Sequence, residues 1–196
     1  GIMCSHTRFH GIGEREPWVY GEEAEAIVRD WLHWRYQLIP YLQGCALEAS
    51  DSGMPVMRSM ALAFPQDRIA WGFETQYMLG PALLIAPVIE PGGDVSYYLP
   101  AGKWYDIWEG SWVEGPGVFT RKMPLDRIPV FGKAGSILPL GPRVQHTGEL
   151  DPGLHLEQVW SFGEPQHGMV LPGLDLTISP GGELIGLPEG VEFRIK

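Results

Sequence analysis

The chain has 196 residues, of which 44% are hydrophobic, and its formal net charge is −10. This length allows one domain or two small ones, and the apolar share excludes a disordered chain. The acidic balance argues against partners that need basic patches, so we expect neither nucleic acid nor a membrane surface as a partner.

The first informative feature is a polar cluster at residues 5–11, with the sequence SHTRFHG. Two imidazoles and a guanidinium lie within seven positions, directly before a long helical pattern. This arrangement is typical of a barrel strand that ends in its loop, where α/β barrels place their chemistry. We therefore predict that the chain is the C-terminal part of a larger enzyme and that Gly1 lies inside a domain.

Residues 22–50 carry apolar side chains at helical spacing, after an acidic first turn that favours a helix start. The stripe is wide enough to predict burial on more than one side. Arg35 falls on it, so we expect that side chain to be paired or to cap something. Pro40 predicts a kink or break near residues 38–39, and Gly53 suits a left-handed cap at the helix end.

After Gly53 the pattern changes to short apolar runs separated by glycine and proline. We predict an extended segment at 54–64, a buried strand pair or one bent strand at 76–88, and a strand at 95–99 followed by a turn at 100–102. A hairpin around residues 109–110 follows. The remaining predicted strands are 128–131, 136–140, 154–160, 169–178 and 191–195. This spacing is typical of a β-sandwich.

Seven segments in order along the chain resemble the C-terminal half of family 31 glycoside hydrolases, particularly the α-xylosidase branch. They are SHTRFHG at 5–11, PWVY at 17–20, RYQLIPYL at 35–42, PVMRSMALAFPQD at 55–67, QYMLGPALLIAPV at 76–88, YYLPAGKWYDIW at 97–108 and IPVFGKAGSILPL at 128–140. The resemblance covers residues 1–142, and the rest of the chain matches only loosely.

The resemblance implies an α+β fragment: the last strand and helix of a (β/α)8 barrel, followed by mainly antiparallel β-sandwich domains. We place the end of the catalytic barrel at residues 1–65 and a proximal β-sandwich domain at 66–142. Residues 143–196 would be the start of a distal β domain.

The family cleaves α-linked xylosides or glucosides with retention, using one Asp as nucleophile and another as general acid/base, and it carries no metal cofactor for this chemistry. Both aspartates lie upstream of the SHTRFHG motif in the family. None of the Asp residues of this chain matches either motif, so we expect no catalytic residue here and no hydrolase activity of the chain alone.

The resemblance makes His6 the predicted substrate-binding residue, in contact with hydroxyls of the sugar where cleavage occurs. Arg8 and His10 are secondary candidates, because Arg8 could instead anchor the loop by ion pairs and His10 could be purely structural. Many α-glucosidases of the family carry an Arg-Asn-His form at this point. Cys4 and Ser5 take the places of that Arg and Asn, which favours an α-xylosidase.

Two other groups could suggest chemistry, but simpler explanations are better. Glu14 and Glu16 are the carboxylates nearest to His6 in sequence, and their Pro- and Gly-rich surroundings predict a solvated loop. The stretch from Trp104 to Trp108 could be a sugar platform, with Trp104 and Trp108 on one strand face. Packing in the core or between domains is the better interpretation.

Other functions remain open at this stage. The chain could be a non-catalytic β-sandwich module that binds carbohydrate or has a structural role, or a small protein that completes a barrel in trans. For the main hypothesis, the partners are an oligosaccharide or small glycoside and the N-terminal catalytic part of the same enzyme. A homo-oligomeric parent stays open, and we expect a cytoplasmic location. The two cysteines predict no disulfide framework and no zinc site.

Overall fold

A computed structural model describes residues 3–4, 6–150 and 155–196. Its three α-helices are α1 (Glu22–Gln37), α2 (Ile39–Ser52) and α3 (Met60–Ala63). Short 3-10 helices occur at Pro17–Tyr20, Ala70–Gly72 and Thr147–Glu149. The rest of the regular structure is β-sheet.

The first two helices confirm the break predicted near residue 38. Leu38 separates α1 from α2, and Pro40 lies in the first turn of α2, where a missing N–H costs no helical hydrogen bond. Gly53 ends α2 at φ 77° and donates its N–H to the Ala49 carbonyl at 3.0 Å. A residue with a Cβ rarely adopts that conformation, so glycine is the natural cap.

The main sheet has six strands in the order β1-β2-β3-β6-β4-β5, and every pair of neighbours is antiparallel. The strands are β1 (Met57–Ser59), β2 (Tyr77–Leu79), β3 (Leu83–Ile85), β4 (Asp94–Asp106), β5 (Ser111–Lys122) and β6 (Val130–Lys133). Because β2 and β3 pair with each other, the 76–88 run is a strand pair and not one bent strand. This architecture confirms the predicted α+β class.

Two three-stranded sheets contain the remaining strands. One has the order β12-β8-β7, with β12 parallel to β8, and the other has the order β11-β10-β9. Their strands are β7 (Ile137–Leu140), β8 (Gln158–Ser161), β9 (Met169–Leu171), β10 (Leu174–Ile178), β11 (Leu184–Ile185) and β12 (Glu192–Ile195). Strand pairs cross both predicted domain boundaries, β1 with β2 and β7 with β8, and the division at residues 65 and 142 stays a prediction.

Four local predictions were wrong. The strand predicted at 169–178 is the antiparallel pair of β9 and β10. Residues 60–63 are helical, because the Ser59 hydroxyl accepts the Leu62 N–H at 3.3 Å and so caps a helix start. Residues 100–102 form no turn, since β4 continues through them with a register shift between Leu99 and Gly102. Trp108 does not share a strand face with the fully buried Trp104, because β4 already ends at Asp106.

The core is anchored on α2. Tyr41 is fully buried; its hydroxyl donates to the Leu79 carbonyl at 2.6 Å and accepts the Ala82 N–H at 2.9 Å. Cys45, one turn later, is also fully buried. By contrast, no residue of α1 is buried, so the burial predicted for the helical stripe is found in α2 and at Leu38, the residue before it.

Candidate functional site

The segment that leads into the SHTRFHG motif is fixed by main-chain contacts. Met3 is 2% exposed and belongs to the core cluster around α2. Its carbonyl accepts a hydrogen bond from the Tyr77 hydroxyl of β2, and the Cys4 carbonyl accepts one from the Arg35 guanidinium of α1 at 2.6 Å. The expectation that Arg35 has a partner is therefore confirmed, and both contacts set where the motif begins.

The Tyr77 contact is one that the sequence analysis missed. Burial raises the pKa of the Tyr77 phenol well above its ordinary value. The hydroxyl therefore stays protonated and can donate to the Met3 carbonyl throughout the physiological range. The residue lies inside the QYMLGP segment, but its partner is 74 positions away in sequence, and no local spacing predicts such a contact.

The three candidate residues of the motif all project into solvent. The side chains of His6, Arg8 and His10 are exposed, and Phe9 between them is 45% exposed. Across residues 3–4, 6–150 and 155–196, no hydrogen bond or ion pair joins any two of the three. Their roles in sugar contact stay predictions. Ser5, the second departure from the glucosidase form, lies outside the described residues.

The loop after the motif is closed by Arg15. Its guanidinium donates to the Gly11 carbonyl and, at 3.2 Å, to the Gly13 carbonyl. The Arg15 N–H donates at 2.9 Å to the carboxylate of Glu16, and hydrogen bonds from the backbone lower the pKa of Glu16. A general acid needs the opposite shift. Glu16 and its neighbour Glu14 are both exposed, which agrees with a solvated loop.

A further carboxylate, that of Asp106, is bound within the fold. Asp106 is 1% exposed; it pairs with the Arg121 guanidinium and accepts the N–H groups of Trp108 and Glu109 at 3.0 and 3.1 Å. These three hydrogen bonds engage both carboxylate oxygens of Asp106, which is thereby bound within the protein. It holds the turn between β4 and β5.

A cavity of about 710 Å³ lies away from the motif, between α2 and β9. Gly44, Lys133, His167 and Met169 are among the residues that line it, and none of the candidate sugar contacts does. Within the described ranges, no three His, Cys, Asp or Glu side chains are grouped closely enough to hold a metal ion. In the same ranges, no helix has the length and apolar character required to span a membrane.

Two family descriptions match consecutive parts of the chain. The family description "Glycosyl hydrolases family 31 TIM-barrel domain" matches residues 1–44, and "Glycosyl hydrolase family 31 C-terminal domain" matches residues 53–138. Together the two matches cover more than half of the chain.

Individual relatives differ in the activity that their names state. An α-xylosidase of Emericella nidulans is 35% identical over 156 residues, which are 74% of this chain and 20% of that protein. An isomaltosyltransferase of Sporosarcina globispora is 40% identical over 159 residues, 74% of this chain and 14% of that protein. The structure of a Flavobacterium johnsoniae dextranase complexed with glucose is 38% identical with a TM-score of 0.69, covering 76% of this chain and 18% of that one.

The chain thus spans about a fifth or less of the length of these relatives. Its matches run from the barrel domain into the C-terminal domain, in the order expected from the seven sequence segments. The chain belongs to glycosyl hydrolase family 31.

Proposed function

We propose that the chain is the C-terminal portion of a retaining α-glycosidase that acts on α-xylosidic or α-glucosidic bonds. The observation that carries the proposal is the exposed imidazole of His6, on a segment whose main chain is anchored by Arg35 and Tyr77. A fixed backbone favours substrate contact, because only the side chain then loses conformational entropy on binding. Family membership supports the same function.

In this proposal His6 donates a hydrogen bond to a sugar hydroxyl and keeps its protonation state through the reaction. Contacts of this kind accelerate hydrolysis when they strengthen in the transition state, as charge develops on the sugar ring. Arg8 and His10 are exposed on the same segment and are the secondary contacts.

The catalytic carboxylates are supplied by the rest of the enzyme. Retaining hydrolysis needs two carboxyl groups about 5–5.5 Å apart across the scissile bond. Glu14 and Glu16 lie in an exposed loop, and Asp106 is bound by three partners within the protein, which supports the view that the isolated chain hydrolyses nothing.

The preference for α-xylosides rests on the SHTRFHG form of the motif. An α-xylosidase is among the relatives, but so is an isomaltosyltransferase of similar identity, so overall similarity does not decide between substrates. Cys4 takes the place of a glucosidase arginine, and its carbonyl accepts the Arg35 hydrogen bond. The smaller side chain removes a charged donor from this position.

The test has two stages. The purified chain is first assayed with aryl α-xyloside and aryl α-glucoside, and we expect no hydrolysis above background. The coding DNA upstream of Gly1 is then sequenced, with an open frame that continues into an Asp-bearing barrel as the expected result. In that longer enzyme, His6→Ala should lower kcat/KM by roughly 100-fold. His10→Ala, on the same segment, is the matched control with a smaller effect.

If the isolated chain hydrolysed these substrates and His6→Ala abolished that activity, the proposal that the rest of the enzyme supplies the catalytic carboxylates would be overturned. A start signal at Gly1 with no catalytic half nearby would favour a non-catalytic module or a protein that completes a barrel in trans. Equal activity of the His6→Ala enzyme and the wild type would remove His6 from substrate contact.

A further inference from the structure

A second site is suggested by three tryptophans that meet at one cavity. Trp31 and Trp34 of α1 and Trp108 after β4 line a space of about 430 Å³, between α1 and the loop that joins β5 to β6. We call this space the tryptophan cleft. The ring centroids of Trp31 and Trp108 are 5.7 Å apart, and those of Trp34 and Trp108 are 6.0 Å apart. All three side chains are half-buried and pack on one side against the core cluster that contains Tyr41.

The ring N–H groups of two of these indoles already form hydrogen bonds within the protein. Trp31 donates its ring N–H to the Asp126 carbonyl at 2.9 Å, and Trp108 donates its own to the Ile128 carbonyl at 2.6 Å. These bonds lock the rings to the main chain of the β5–β6 loop. The two rings are therefore held in a fixed orientation and offer carbon surface to the cavity. The Arg127 guanidinium lies over the Trp108 ring, 5.4 Å from its centroid, and shares that surface.

The rim of the cleft carries charges that cancel. Asp30 and Arg143 form an ion pair at 3.0 Å, and Asp126 and Arg127 approach at 3.6 Å. All four side chains are exposed, and all four line the cavity. Two carboxylates and two guanidinium groups leave no net charge to attract an ion, but they present many hydrogen-bond donors and acceptors. The cleft therefore favours a neutral ligand with several polar groups.

We propose that the tryptophan cleft binds a neutral saccharide, separately from the substrate contacts at His6. A pyranose ring has a face of C–H groups that can pack on an indole, and hydroxyls at its edge that carboxylates and guanidinium groups can bind. Small-molecule sites of proteins combine largely apolar walls with a few polar groups, in cavities of about 300–1,000 Å³. The volume of the cleft falls in this range, its three indoles supply apolar wall, and charged side chains supply polar groups. None of the motif's candidate contacts lines it.

The proposal does not depend on the proposed function. A saccharide held here would be an additional contact for a long or polymeric glycan, whichever bond the enzyme cleaves. The competing explanation is that the three tryptophans only join α1 to the sheet, in which case the rim charges have no ligand. Binding experiments separate these two explanations.

The test is a titration of the full chain with D-xylose, D-glucose and isomaltotriose, followed by calorimetry and tryptophan fluorescence. We expect saturable binding of at least one neutral sugar with Kd in the millimolar range, roughly 1–10 mM. The double variant Asp30→Ala/Arg143→Ala changes only exposed side chains, so it should fold normally and raise Kd about 5-fold or more. Trp108→Phe keeps a ring in place and should also weaken binding.

Two controls identify the site. Trp112→Phe alters a tryptophan that is 40% exposed on β5, outside the cleft, and should leave Kd unchanged. His6→Ala should leave Kd unchanged as well, because His6 does not line the cleft.

A flat calorimetric titration of the wild type up to about 100 mM of all three sugars would overturn the proposal. So would a Kd that is the same in the wild type, the double variant and Trp108→Phe. Binding lost in His6→Ala but kept in the cleft variants would assign the sugar to the motif instead, which would remove the cleft site and leave the proposed function standing.

Discussion

The two helices of the N-terminal region have the same kind of apolar pattern but different surroundings. In α2, four residues are buried, among them Tyr41 and Cys45, and strands of three sheets pack close by. In α1 no residue is buried, and its large aromatics are half-covered. Apolar periodicity therefore identifies which face of a helix packs, but the depth of burial depends on what lies opposite. This difference predicts that α2 carries stability and that α1 is available for contacts with ligands or other segments.

The largest expected difference in unfolding free energy is between the loss of a tyrosine in α2 and the loss of a tyrosine in α1. Tyr41→Ala removes a fully buried ring and leaves the Ala82 N–H and the Leu79 carbonyl with one partner fewer, so it should cost about 4 kcal/mol of unfolding free energy. Tyr36→Ala, on the half-buried face of α1, should cost about 1 kcal/mol. Urea denaturation measures both. Equal losses would show that the two helices contribute alike.

Two glycines allow a test of how closely α2 packs against the sheet. Gly80 has φ +60°, and an added Cβ would overlap the Tyr41 hydroxyl and the Cys45 sulfur. Gly80→Ala should therefore cost about 3 kcal/mol, from strain and overpacking together. Gly53 has φ +77° but open space around it, so Gly53→Ala should cost only about 1 kcal/mol. Chemical denaturation of both variants checks the difference, and similar losses would contradict a crowded junction.

An ion pair on each helix provides the next comparison. Arg58, 8% exposed, donates to Glu48 of α2 at 2.6 Å and to the Pro55 carbonyl at 3.0 Å. Arg58→Ala should cost about 2 kcal/mol, because it removes a buried side chain together with its charged hydrogen bond to the half-buried Glu48. Arg29→Ala breaks the exposed pair with Glu25 in α1 and should cost at most about 0.5 kcal/mol. Measurements at low and high salt should show screening for the Arg29 pair mainly.

The smallest expected effect is a pH dependence that originates in α2. Burial raises the pKa of the Cys45 thiol from 9.0 to about 12. The unfolded chain therefore loses this proton first as the pH rises, so stability is fully present below pH 9 and declines between pH 9 and pH 12. We expect a loss of about 1 kcal/mol between pH 8 and pH 10.

Cys45→Ala is the control for this pH profile. The variant removes the ionisable thiol, and alanine is only slightly smaller than cysteine. Its unfolding free energy should fall less steeply over the same pH interval. Tyrosines whose pKa burial also raises, Tyr41 and Tyr77 among them, contribute to the slope that remains. An identical pH slope in the wild type and in Cys45→Ala would show that the thiol is already exposed to solvent.

Local chemistry made part of this molecule predictable. Pro40 and Gly53 act on their own backbone, so the helix break and the cap followed from sequence alone. The parallel pairing of β12 with β8 and the Tyr77 bond to Met3 join residues far apart in the chain, and no short pattern contains that information. The helix at 60–63 depended on one hydroxyl of Ser59, a weak local signal between two apolar runs.

The candidate sites show the same difference between local features, which the sequence predicts, and contacts between distant residues, which it does not. The motif could be located from sequence because its histidines and arginine are unusual side chains for the start of a helical region. The tryptophan cleft could not, since Trp108 comes from a different part of the chain than Trp31 and Trp34, and the sequence pattern set it on the wrong side of β4. Because β4 ends at Asp106, Trp108 lies outside the strand, and it contacts Trp31 and Trp34 of α1.

The anchoring of the motif through main-chain carbonyls also bears on how such a site can diversify. Arg35 and Tyr77 bind the carbonyls of Cys4 and Met3, atoms that every amino acid possesses. Substitutions at positions 4, 6, 8 and 10 can therefore change what the segment offers to a ligand without detaching it. A mutational library restricted to those positions would explore new selectivities on an attachment that stays constant.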